Sequence, residues 1–198
     1  WFGNNQFVKN AWLHHKYLFI QLGGKLPVKI HYGIHHFAQW GGFSADTSIG
    51  QMPRGFDDFI KVFLAKPGDE NAPIGDQKLI LGNHLASRNL GLDIDFTGVM
   101  VSFYNQTLFE DKSSEYWGII NKTALWGIHF HLKDKEHFIN GFGYEFLNIY
   151  SKPDPKNYFN HGYYRFGWTF HEMTIGTPMI TSPTIIKNTE TEGRYIWN

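Results

Sequence analysis

The amino-acid sequence predicts an all-β fold: an antiparallel transmembrane β-barrel, partial, with strands missing at both ends and a short helix in one long insertion. Three observations predict it. Apolar and polar residues alternate with a period of two along many segments, and the apolar sets are rich in Phe, Trp and Tyr. No run approaches the ~18–20 apolar residues of a membrane helix.

The strands follow in chain order. Phe7–Leu22 reads as a strand with an irregular pattern. Val28, Ile30, Tyr32 and Ile34 alternate with Lys29, His31, Gly33 and His35. Leu90, Leu92, Ile94 and Phe96 alternate with Asn89, Gly91, Asp93 and Asp95, and Val99–Thr107 is again less regular. Trp126, Ile128, Phe130 and Leu132 face away from Gly127, His129, His131 and Lys133. Phe142, Tyr144 and Phe146 alternate with Gly141, Gly143 and Glu145. Tyr164, Phe166, Trp168 and Phe170 alternate with Arg165, Gly167, Thr169 and His171, which predicts Trp168 outward and Arg165 inward. Successive side chains on a strand point to opposite sides, so each segment has one greasy and one polar face.

A soluble sandwich also alternates in this way. The aromatic character of the apolar faces and the His, Lys, Arg, Asp and Glu among glycines on the polar faces favour lipid on one side and a wet lumen on the other. The segments run about 9–12 residues, the length of a tilted membrane strand, against ~5–6 in soluble sheets. Short turns at Thr97-Gly98 and Lys133–Glu136 alternate with longer connections at Glu110–Lys122 and Ser151–Asn160, matching the turn and loop ends of such barrels.

The domain reading is one partial barrel over residues 1–198 with an insertion over 43–84. Inside the insertion Phe56, Phe59, Ile60 and Phe63 recur at helical spacing, predicting an amphipathic helix over Phe56–Lys66 that ends at Pro67-Gly68. It serves as a lid or plug, or packs against the rim. The chain opens on Trp1 and closes on Tyr195-Ile196-Trp197-Asn198, which suggests an internal piece of a longer protein.

Composition narrows the function. Lys plus Arg and Asp plus Glu are each 18, so the net charge is zero and no basic field is available to hold a nucleic acid. Cysteine is absent, which excludes disulfides and thiolate metal sites. Eleven histidines invite a metal, but His14-His15 and His35-His36 are adjacent pairs that point to opposite faces. His129 and His131 share a face without a definite third ligand, and they read as lumen polarity. Asp93 and Asp95 share a face about 6.5–7 Å apart, a spacing a glycosidase pair could use, but inward acids on a barrel strand read first as charged lumen lining. No nucleophile elbow, phosphate loop or dinucleotide fingerprint occurs. The protein therefore reads as non-enzymatic, with no cofactor and no metal. His35-His36-Phe37-Ala38-Gln39-Trp40-Gly41-Gly42 combines rings with amide and imidazole groups, as sugar binding requires, and also suits an aromatic girdle before a turn.

Five strings carry a resemblance: His31–Gly42, Phe56-Asp57-Asp58-Phe59-Ile60-Lys61-Val62-Phe63, Leu81-Gly82-Asn83-His84-Leu85, Phe109-Glu110-Asp111-Lys112-Ser113, and Tyr158 through Trp168. In that order, and spanning nearly the whole chain, they resemble the capsule assembly Wzi family of outer-membrane barrels. The resemblance implies a closed barrel in the bacterial outer membrane. It also implies a lectin-like, non-enzymatic role, attaching capsular or extracellular polysaccharide to the cell surface. No binding motif transfers with it. The candidate contacts come from the strand faces alone: His36, Gln39, Trp40, Asp93, Asp95, His129, Glu145 and Arg165. The expected partners are polysaccharide and outer-membrane lipid. A diffusion channel with the same polar lumen is the alternative reading, and a glycan hydrolase using Asp93 and Asp95 is the third.

Overall fold

The structure, a computed structural model, describes residues 8–109, 124–134, 138–148, 161–164, 168–170 and 173–174. Its main body is a six-stranded sheet of β2 (Trp12–Leu22), β3 (Val28–Trp40), β5 (Asn83–Asp95), β6 (Val99–Phe109), β7 (Ala124–Leu132) and β8 (Gly141–Asn148), in that spatial order. A two-stranded ribbon pairs β1 (Val8–Lys9) with β4 (Phe43–Ser44), and another pairs β9 (Thr169–Phe170) with β10 (Met173–Thr174). Two helices, α1 (Phe56–Phe63) and α2 (Ile74–Lys78), lie between β4 and β5.

The all-β, antiparallel prediction matches the observed sheet. Closure does not: among the described residues the sheet is open, with β2 and β8 as its two edges. Half of the expected strand over 164–171 falls outside the described residues. Arg165, Phe166, Gly167 and His171 are the undescribed positions, and among the rest Thr169–Phe170 is extended. Tyr164 is instead tied into loop packing, where its hydroxyl donates to the Gly41 carbonyl at 3.1 Å. Trp168, expected to face lipid, is buried edge-on against Phe37 with ring centres 6.4 Å apart.

The strands divide between two compact units, with boundaries inside β2, β3 and β5. One unit comprises Lys16–His36 and Ala86–Pro153 and holds the regular antiparallel pairing. There Leu92 stands opposite Phe103, Phe103 opposite Ile128 and Ile128 opposite Tyr144. Directly opposed residues share a sheet face, so Leu92, Phe103, Ile128 and Tyr144 line one side together. Phe130 and Phe142 join them, as do Trp126 and Phe146. One residue out of step, Asp93, Ser102, His129 and Gly143 line the other side. The hairpin between β2 and β3 turns at Gly23, whose φ is +113° and whose carbonyl accepts the Leu26 N–H at 2.7 Å. A Cβ there would sit 2.4 Å from the Val28 carbonyl oxygen, so only glycine fits.

The other unit comprises Trp1–His15, Phe37–Leu85 and Asp154–Asn198. Its core is Ala38, Trp40, Val62, Ala72 and Leu81, with Phe59 packed against them. Helix α1 forms because Phe59, Val62 and Phe63 fall on one stripe, and the Asp58 carboxylate accepts the Gly55 N–H at 2.8 Å at its start. It is shorter than predicted and stops at Phe63, because Ala65 takes φ +52° and breaks the helical path before Pro67. A second core, Val8, Met52 and Tyr164, seats the β1–β4 ribbon.

Candidate functional site

The sheet unit carries a polar face built by register. At β3 and β5, His31 Nε2 and Asp93 Oδ2 share a hydrogen bond of 2.6 Å. At the turn beyond β7, Lys133 Nζ lies 2.5 Å from Asp95 Oδ1. In the middle, Tyr104 donates its hydroxyl proton to Glu145 Oε1, and His129 Nε2 lies 3.4 Å from the same hydroxyl. The rings need space beside them, and glycines supply it. A Cβ at Gly127 would fall 2.0 Å from the Tyr104 ring, and one at Gly143 would fall 2.7 Å from His129. Gly127 stands opposite both Tyr104 and Glu145 in the register, so the missing side chain is what lets the phenol reach the carboxylate across β7.

Four of the eight predicted contacts thus meet on this face: Asp93, Asp95, His129 and Glu145. The two aspartates share the face and each has a basic partner, His31 for Asp93 and Lys133 for Asp95. His36 has the opposite strand parity, the parity of Ile30, Tyr32 and Ile34. Gln39 and Trp40 are interior. Gln39 Oε1 accepts from Asn83 Nδ2 at 2.8 Å, while Trp40 is 5% exposed, edge-to-face with Trp12 at 4.7 Å and covered by Phe59. Neither ring face of Trp40 is open to a sugar, which corrects its expected stacking role. Arg165 lies outside the described residues. Sequence reasoning missed Tyr104, which sits in the irregular strand; its signal is a ring placed opposite a glycine in the paired register.

The helix-bearing unit contains a second, buried polar cluster that no periodicity announced. Asp76, on α2, is 2% exposed; its Oδ2 accepts the Gly82 N–H at 3.1 Å, and its Oδ1 lies 4.0 Å from His161 Nε2. His161 Nδ1 accepts the N–H groups of Tyr163 and Tyr164 at 3.2 and 3.3 Å, which leaves the proton on Nε2, toward Asp76. The Tyr163 hydroxyl accepts the Gly75 N–H at 2.9 Å, and buried His84 binds the Leu81 carbonyl at 2.8 Å through Nε2. Burial pushes the Asp76 carboxyl up to about 6, against a partial counter-effect from the Gly82 N–H. Burial, with His84 nearby, pushes the His161 imidazole down to about 4. Burial also raises the Tyr164 phenol, with Asp76 adding to it. The strings Leu81–Leu85 and Tyr158–Trp168 each supply a part of this cluster, which joins the insertion to a distant segment. Among the described residues no group of three or more His, Cys, Asp or Glu is placed to hold a metal ion.

No protein-family model, no curated protein and no solved structure matches the chain. The observations define its class as an antiparallel β-sheet protein with one aromatic and one polar face, and a helical insertion packed on strand residues.

Proposed function

We propose that this chain is part of a non-enzymatic barrel of the bacterial outer membrane that binds capsular or extracellular polysaccharide and holds it at the cell surface. One observation carries the reading. Across four adjacent strands Phe103, Trp126, Phe130, Phe142, Tyr144 and Phe146 share one side, while Asp93, His129, Glu145 and the Tyr104 hydroxyl share the other. On the greasy side Phe142, Tyr144 and Phe146 are 52–64% exposed. Leaving such side chains in water forgoes about 1.5–3 kcal/mol each relative to burial, and lipid removes that loss. The polar side offers imidazole, phenol, carboxylate and ammonium groups that exchange hydrogen bonds with sugar hydroxyls. The resemblance to the capsule assembly Wzi family supports the same role.

The test pairs adjacent positions in native membranes. Cysteine at Tyr144 should resist a water-soluble maleimide, and cysteine at Glu145 should react. Equal labelling of both sinks the membrane assignment. Cells carrying Glu145→Gln with His129→Ala should insert the protein normally and release polymer into the medium; unchanged retention removes the polar face as the glycan contact.

A further inference from the structure

A separate cleft in the helix-bearing unit has the composition of an anion site. Lys9 in β1, Phe43 in β4 and Gln51 stand side by side, since Lys9 pairs with Phe43 and Phe43 bridges to Gln51. Neighbours across a ladder point to one face, so a cation, a ring and an amide are presented together. Trp12 and Arg54 complete the wall, with Asn10 at the rim, around a volume of about 100 Å³. That is room for about three waters, or for a carboxylate and the edge of the ring that bears it.

Among the described residues no carboxylate lines the cleft, and neither Lys9 nor Arg54 has an ion-pair partner. Lys9 and Arg54 both line this small concavity, and an anion held within reach of both charges is attracted by each. The backbone is shaped to make the concavity. Gly42 has φ +87°, and a Cβ on it would meet the Lys9 carbonyl oxygen at 2.6 Å and close the β1–β4 contact. Asn10 takes φ +56°, a conformation Asn tolerates better than most residues. The Gln51 amide nitrogen is committed to the carbonyls of Gly42 and Met52 at 2.5 and 3.0 Å, which leaves its oxygen as the group to accept from a ligand.

Trp12 is 47% exposed and Phe43 is 52% exposed. Open rings beside the cations suit the apolar face of a pyranose, which a bare phosphate does not need. Amide groups beside them suit sugar hydroxyls. We infer that this cleft binds an acidic sugar unit, its carboxylate between Lys9 and Arg54 and its ring against Trp12 and Phe43. The inference rests on the polysaccharide reading and adds that the polymer is anionic.

The experiment measures binding of trigalacturonate to the full chain in detergent by calorimetry, beside its methyl-esterified form, in which the charge is masked and the rings are kept. The acidic trimer should bind, more weakly at high salt. The double variant Lys9→Gln/Arg54→Gln should weaken it about 10-fold, and the ester should bind no better to the wild type than the acid does to that variant. Equal binding of acid and ester, or an unaffected double variant, overturns the anionic site and leaves the polysaccharide reading standing. Failure of both trimers to bind overturns the site, and retention of polymer by cells then decides the broader reading separately. Lys9- and Arg54-dependent capture of phosphatidylglycerol vesicles without trigalacturonate binding makes the cleft a lipid site, and also overturns it.

Discussion

The Asp76 carboxylate stands 4.0 Å from the His161 imidazole inside the helix-bearing unit, and burial drives both toward their neutral forms. Their proton linkages run in opposite directions. An acid raised on folding destabilises the native state as pH climbs from 3.8 to about 6, where the unfolded chain has lost the proton and the native state retains it. An imidazole lowered on folding destabilises it as pH falls from 6.5 to about 4. Between pH 4 and 6 the two slopes oppose each other. His161 keeps 22% of its side-chain surface open, so its contribution is the smaller.

The first prediction separates them. In His161→Asn only the acid remains, and stability should fall from pH 4 to 6 at up to about 1.4 kcal/mol per pH unit. In Asp76→Asn only the imidazole remains, and stability should rise over the same range. Urea midpoints followed by tryptophan fluorescence at four pH values give both slopes. Slopes of the same sign in the two variants refute the arrangement.

The second prediction concerns Gly127. A side chain there collides with the Tyr104 ring and must push it off Glu145. Gly127→Ala should lose about 1–3 kcal/mol. Tyr104→Ala in the same background should recover part of that loss, because the collision is gone. A double-mutant cycle on denaturant midpoints reads the coupling, and strict additivity would show that the ring and the glycine are independent.

The third prediction follows from the burial of Trp40. Removing a ring enclosed by Trp12 and Phe59 should cost about 3–5 kcal/mol, so Trp40→Ala should lower protein abundance and stability together. Trp40→Phe should restore most of both. Normal stability in Trp40→Ala would return this residue to the list of surface contacts.

The strands of the sheet unit were legible because their two faces have different chemistry, and a period of two needs no knowledge of distant residues. Leu90 to Phe96 and Trp126 to Leu132 show it, and α1 showed its own period for the same reason. Trp40 was misread because its position at a strand end is also what an interfacial ring looks like. Only the docking of Phe59 onto it makes it interior. Asp76 and His161 were invisible because they come from irregular segments, where no local spacing signals that two polar groups will be buried together. Of the predicted contacts, Asp93, Asp95, His129 and Glu145 share one sheet face, Gln39 and Trp40 are interior, and Arg165 lies outside the described residues.

Between β7 and β8 the greasy face sets Trp126, Ile128 and Phe130 against Phe146, Tyr144 and Phe142, so sliding one of these strands by two residues leaves that face almost unchanged. The polar face is not uniform. A slide of β5 parts Asp93 from His31 and Asp95 from Lys133, and a slide of β6 parts Tyr104 from Glu145 and sets its ring against a residue with a side chain. Correct alignment is therefore written almost entirely on the wet side: the oily surface tells each strand which way to face, and the polar contacts tell it where to stop.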